Sequence, residues 1–190
     1  GVGLVGYSLG GNVVLKLAGE GMRGLPVRAV ASVSAPIDLA EASRRFHEPR
    51  NRFYHWHMMR NLRREALAPG AVLGDDERAA VQSARTLFEF DDRFVAPRNG
   101  FADAADYYAR CSSGPLLDAV DVPALAIHAD DDPWIPATPY RERAAKPANG
   151  VQVLLAPGGG HVGFHARAQQ DAAPCWHDRC IEIFFRRAFA

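Results

Sequence analysis

Apolar and polar positions along this chain fall into blocks that switch between two periods. Gly1 to Val5, GVGLV, is a short apolar run leading into a glycine-rich turn, the pattern of a buried parallel strand. From Leu9 the stretch LGGNVVLKLAGEG places Val13, Val14, Leu17 and Ala18 at helical spacing, and the Gly19–Gly24 stretch stops the helix. Val27 to Val33, VRAVASV, is β-branched and apolar, a second strand ended by Ser34-Ala35-Pro36. Pro123 to Ala129 (PALAIHA) and Val151 to Ala156 (VQVLLA) predict two more, with a short helix from Pro139 to Ala145 between them. Ala173 to Phe189 reads as an amphipathic helix with Trp176, Cys180, Ile183 and Phe184 on one face. Strands alternating with helices imply an α/β fold, a mostly parallel sheet with helices on both faces.

The segment from about Asp38 to Arg110 breaks that rhythm. It has no strand pattern, is rich in arginine, and carries Phe46, Phe53, Tyr54 and Trp56 at helical spacing. It predicts several helices inserted between strands, where a helical cap over a substrate would sit. From Arg44 to Arg64 the arginines at 44, 45, 50, 52, 60, 63 and 64 stand against one acid, Glu48. That balance suits an anionic head group or a membrane surface, although a solvated helix face offset by acids elsewhere is the plainer expectation.

Composition narrows the classes. With 190 residues, 48% of them hydrophobic and 23% charged, the chain is long enough for one sizeable core. A formal net charge of zero argues against nucleic acid as a partner, because phosphate binding needs a basic excess. No apolar run approaches the ~20 residues of a membrane helix. Cys111, Cys175 and Cys180 lack CxxC spacing and read as free thiols in a reducing, cytoplasmic compartment. Arginine far outnumbers lysine (only Lys16 and Lys146), a bias that points to a bacterial source. Because Gly1 opens inside a strand-like run, further sequence, with any signal or anchor, is expected upstream.

The chemistry enters with Gly6-Tyr7-Ser8-Leu9-Gly10, a G-x-S-x-G stretch between a strand and a helix. In such an elbow Ser8 is the nucleophile, and Gly6 and Gly10 stand where a Cβ would collide with neighbouring backbone. The N–H of Leu9, at the helix N-terminus, is one oxyanion donor. A hydroxyl needs a histidine to take its proton and a carboxylate to orient that histidine, in the chain order Ser, acid, His. His161 meets the condition for the base, in a glycine loop after the last strand. His165 looks like the start of a helix, while His47, His55 and His57 lie in the inserted segment. His55 and His57, two residues apart, do not share a helix face for a metal. For the acid, Asp132 is favoured because Pro133 fixes the turn after it; Asp131 and Asp38 stay open. This chemistry calls for no metal and no other cofactor.

GYSLGGN at 6–12, SAPIDL at 34–39, FDDRFVAP at 90–97, GFADAADYY at 100–108, ADDDPW at 129–134 and GGGHVGF at 158–164 together resemble the YheT-like family of α/β-hydrolases, bacterial relatives of the ABHD-type esterases and lipases. The resemblance implies an α/β-hydrolase fold with Ser8 as nucleophile, Asp132 as acid and His161 as base. It also implies hydrolysis of a small-molecule ester or lipid through an acyl-enzyme, and a cap formed by the 38–110 insertion. Acyl transfer to alcohols, as in some relatives, is an alternative; a non-catalytic binding protein is another. FDDRF and the DYY stretch fall in that cap, where their residues read as helix and turn packing. Family members carry further N-terminal strands and a loop with a second oxyanion donor. A chain without them is a partial domain, expected to leave the GVGLV edge bare and to hydrolyse little alone.

Overall fold

Among the described residues of the computed structural model (1–22, 24–145, 150–165 and 175–190), four strands pair in parallel. They are β1 (Val2–Tyr7), β2 (Val27–Val33), β3 (Ala124–Ala129) and β4 (Val151–Ala156), in the order β1-β2-β3-β4. The helices are α1 (Leu9–Glu20), α2 (Leu39–Phe46), α3 (Arg52–Ala66), α4 (Asp75–Ser83), α5 (Leu87–Phe90), α6 (Ala96–Arg98), α7 (Ala104–Cys111), α8 (Thr138–Ala144) and α9 (Trp176–Phe189). By contacts the chain divides into two units, residues 1–38 with 112–190, and Leu39–Cys111.

The first unit is built around β3, every residue of which is buried. Successive strand residues point to opposite faces, so one apolar run feeds two cores. Ala124 and Ala126 join Val30 and Val151 beneath Leu15 and Ala18 of α1, Leu117 and Tyr140. Leu125, Ile127 and Ala129 join Ala31 and Val33 beneath Phe164 and Ile181 of α9. Each fully buried Val, Leu or Ile side chain contributes about 1.5–3 kcal/mol. The sheet with helices on both faces agrees with the expected fold class.

Three details differ from the pattern reading. The inner face of α1 is Gly11, Asn12, Leu15 and Ala18, and Val13 is 58% exposed. A buried polar residue turns the face: Asn12 Oδ1 accepts the Ser113 N–H at 2.9 Å, a bond that needs Asn12 inside. β1 is not buried as expected, since it pairs only with β2 among the described residues and leaves Val2, Val5 and Tyr7 exposed. On α9 the buried residues are His177 and Ile181, whereas Ile183 is 41% exposed. Residues 173 and 174, expected to begin that helix, lie outside the described residues.

Unit two, read from the pattern as 38–110, is all helix, with Met59, Val81, Ala84 and Phe90 at its core. The FDDRF stretch runs from Phe90, the last residue of α5, into a π-helical turn, Asp91–Val95. Asp91 Oδ2 accepts the Tyr108 hydroxyl at 2.6 Å, and Tyr108 also lies 3.1 Å from Ser43 Oγ, so FDDRF and DYY hold one another. Burial pushes the Asp91 carboxyl up from 3.8 to about 6, against the Tyr108 bond. A raised acid pKa means the folded state binds the proton more tightly, so stability is lost as pH rises from about 4 through 6. Asp91→Asn keeps an acceptor for Tyr108 without a charge to bury. Chemical unfolding followed at several pH values should show it more stable than wild type by about 2–3 kcal/mol at pH 7, with the gain vanishing near pH 4.

In the first unit the Gly114 N–H donates to Ile37 O at 2.9 Å, beside the points where the second segment leaves and rejoins. A Cβ at Gly114 would sit 2.9 Å from that carbonyl oxygen, so glycine is what permits the approach.

Candidate active site

Ser8 stands between β1 and α1 with φ 50° and ψ −124°, a left-handed conformation unusual for any residue but glycine. Two devices hold it there. Its N–H donates to Val33 O at 2.8 Å, tying the elbow to the end of β2. A Cβ on Gly6 would lie 2.2 Å from Gly10 O, so the chain closes on itself only over glycine. Gly10 departs from expectation, since a Cβ there meets nothing within 4 Å among the described residues. The second tight position is Gly11, whose Cβ would fall 2.9 Å from Ala35 Cβ. Gly6→Ala should therefore lower stability by about 3 kcal/mol or more and Gly10→Ala by less than about 1 kcal/mol, read from denaturant midpoints.

The N–H groups of Gly11 and Asn12 turn back to Ser8 O, at 2.9 and 3.3 Å. Leu9 is the first residue of α1, where a backbone N–H has no acceptor within the helix.

His161 arrives on the loop after β4. Its Nε2 is 3.0 Å from Ser8 Oγ and its Nδ1 is 2.9 Å from Asp132 Oδ2. A carboxylate only accepts, so Nδ1 carries the proton and Nε2 is left to accept from the serine hydroxyl. Asp132 is 2% exposed, and its other oxygen accepts the N–H groups of Trp134 at 2.8 Å and Ile135 at 3.0 Å. Trp134 packs its ring on His161, centroids 4.6 Å apart. The structure thus brings Ser8, His161 and Asp132 into one hydrogen-bonded line, each at the C-terminal end of a different strand. The rival acids stand elsewhere. Asp131 Oδ1 accepts the Gly160 N–H at 2.8 Å and so holds the loop that carries His161, while Asp130 pairs with Arg141. Asp38 is half-buried past the end of β2. His165 is not the start of a helix but forms an isolated bridge with Cys175; residues 166–174 lie outside the described residues.

Residues 1–168 match the family model described as the alpha/beta hydrolase fold. The chain belongs to that family. This α/β-hydrolase is 38% identical over 165 residues to YheT of Escherichia coli (strain K12), which is named as a candidate esterase; the match covers 84% of the chain and 48% of YheT. It is 31% identical over 193 residues to Abhydrolase domain-containing protein 2 of Drosophila melanogaster, covering 93% of the chain and 48% of that protein. To Monoacylglycerol lipase ABHD2 of Danio rerio the identity is 29% over 192 residues, covering 94% and 44%. The chain therefore spans about half the length of the curated relatives it matches. Among solved structures, the Pyrococcus furiosus esterase Pf2001 superposes with a TM-score of 0.52 at 12% identity, over 99% of this chain and 54% of that one, a likeness of fold. The likeness to YheT agrees with the resemblance read from the motifs.

Two features of the hydrolase escaped the pattern reading. His128, inside the apolar run of β3, is fully buried behind Asp132, and burial pushes its imidazole down to about 4, outweighing the raising effect of Asp132. Nothing in an apolar run flags such a residue except its polarity. Cys175, His177 and Asp178 bring potential ligand atoms within 4.8 Å of one another. Asp178 Oδ1 accepts the Tyr7 hydroxyl at 3.1 Å and lies 3.3 Å from His177 Nε2, so Asp178 ties β1 to α9. None of the three cysteines is in a disulfide, and among the described residues no helix is long and apolar enough to cross a membrane.

Proposed function

We propose that this chain carries the catalytic triad of a serine-dependent hydrolase of carboxylic esters acting through an acyl-enzyme. The unbroken line Ser8 Oγ–His161–Asp132, with the nucleophile on an elbow strained to φ 50°, carries the reading. Ser8 Oγ attacks the ester carbonyl while His161 Nε2 takes its proton. Asp132, buried and tied by two backbone N–H groups, holds the imidazole in the reactive tautomer and balances its charge. The Leu9 N–H donates to the oxyanion, aided by the N-terminus of α1. Collapse of the tetrahedral intermediate expels the alcohol with the proton from His161. Water activated by the same histidine then frees the acid and restores Ser8.

Relatives named as a candidate esterase, a monoacylglycerol lipase and a phospholipase support a small-molecule ester or lipid as substrate. The reading is tested by treating the protein, produced from its complete gene, with a serine-directed fluorophosphonate. Covalent labelling at Ser8 is the expected result. A protein that stays unlabelled beside a reactive control hydrolase is not a serine hydrolase.

A further inference from the structure

On the serine-hydrolase reading above, we propose that His128 is a positioning residue for the triad acid, clamping the turn that aims Asp132 at His161. His128 lies on β3, four residues before Asp132, with no exposed surface. Its Nε2 is 3.2 Å from Ile135 O. A carbonyl oxygen only accepts, so Nε2 carries the proton, and a neutral imidazole then has a bare lone pair at Nδ1. That Nδ1 is buried and has no partner among the described residues. A leucine or phenylalanine in this apolar run would strand no polar atom. The gain that holds a histidine here therefore sits in the single bond to Ile135.

Ile135 is the pivot because both ends of its backbone are engaged. Its N–H donates to Asp132 Oδ1 at 3.0 Å, and its carbonyl accepts from His128. Without the His128 donor the carbonyl of the buried Ile135 loses that partner and the residue is free to turn toward another. Turning withdraws one of the two N–H groups that fix Asp132 Oδ1, leaving the Trp134 N–H alone to hold the carboxylate against rotation away from His161 Nδ1. The imidazole of His128 is held in turn by Tyr140, stacked at 4.2 Å with planes 6° apart. Tyr140 donates its hydroxyl to Ala35 O at 2.7 Å, just past the end of β2. The line thus runs Tyr140, His128, Ile135, Asp132, His161, Ser8, and only the last three touch reacting atoms.

The test compares His128→Gln, His128→Asn and His128→Leu in the protein produced from its complete gene. Glutamine places an amide N–H near the position of Nε2, asparagine holds it one bond short, and leucine has none. Two quantities are read: the rate of fluorophosphonate labelling at Ser8, and the low-field proton resonance of the His161–Asp132 hydrogen bond. Leucine and asparagine should slow labelling on the order of 100-fold and remove the resonance, while glutamine restores both. Glutamine as slow as asparagine, or a folded leucine variant with wild-type rate and resonance, overturns the role of His128. The asparagine–glutamine pair decides the matter even where leucine does not fold. Failure of the wild type to label removes the serine-hydrolase reading instead, and the resonance still reports on His128.

Discussion

Replacing Ser8 with alanine should lower ester turnover by a factor of about 10⁶, leaving the background of solvent and unassisted binding. In the proposed mechanism the hydroxyl bonded to His161 Nε2 forms the acyl-enzyme, and among the described residues no other hydroxyl lies on the line from Asp132 through His161. A second variant separates chemistry from strain. Ser8 is held at φ 50°, ψ −124°, a conformation that glycine adopts freely and an L side chain does not. Ser8→Gly should be as inactive as Ser8→Ala yet more stable than it by about 1–2 kcal/mol, measured as a shift in urea midpoint. Equal midpoints would show the elbow to be relaxed. Retained turnover in either variant would place the nucleophile elsewhere.

The second large effect concerns the acid. Asp132→Asn should cut kcat about 10⁴-fold with little change in fold, because an asparagine can turn its amide N–H toward the imidazole and favour the wrong tautomer. Asp131→Asn should cost less than about 10-fold, since it weakens one bond to Gly160, at 2.8 Å, and leaves the carboxylate on His161 intact. Parallel kcat measurements on the two variants decide between the neighbours. Loss of turnover from Asp131→Asn alone would reverse the assignment.

Much of this arrangement was legible in the chain because each signal had a single cause. The runs VRAVASV and PALAIHA are apolar at consecutive positions since β2 and β3 are covered on both faces, and such runs suit a parallel sheet. Ser8, Asp132 and His161 each follow a strand, so their approach at one edge of the sheet follows from strand direction. The remainder depended on single hydrogen bonds that no periodicity records. Asn12 faces inward to meet the Ser113 N–H, which rotates α1 away from the face its valines suggested. Pro133 favours Asp132 over Asp131 in the sequence, but the two N–H groups of Trp134 and Ile135 that hold its carboxylate leave no mark there. His128 reads as filler in a strand until Ile135 folds back over it. Gly10 fits the motif spacing, yet the close approach falls on Gly6 and Gly11.

The bond between Gly114 and Ile37 has a consequence for how such a protein diverges. Because it fastens the two ends of the intervening segment together within the sheet unit, the length of what lies between them adds little loop-closure entropy to that unit, about 0.6 kcal/mol for each doubling. A change of length between Asp38 and Ser112 should therefore cost the strands that carry serine, aspartate and histidine little stability, and Gly114 marks the seam.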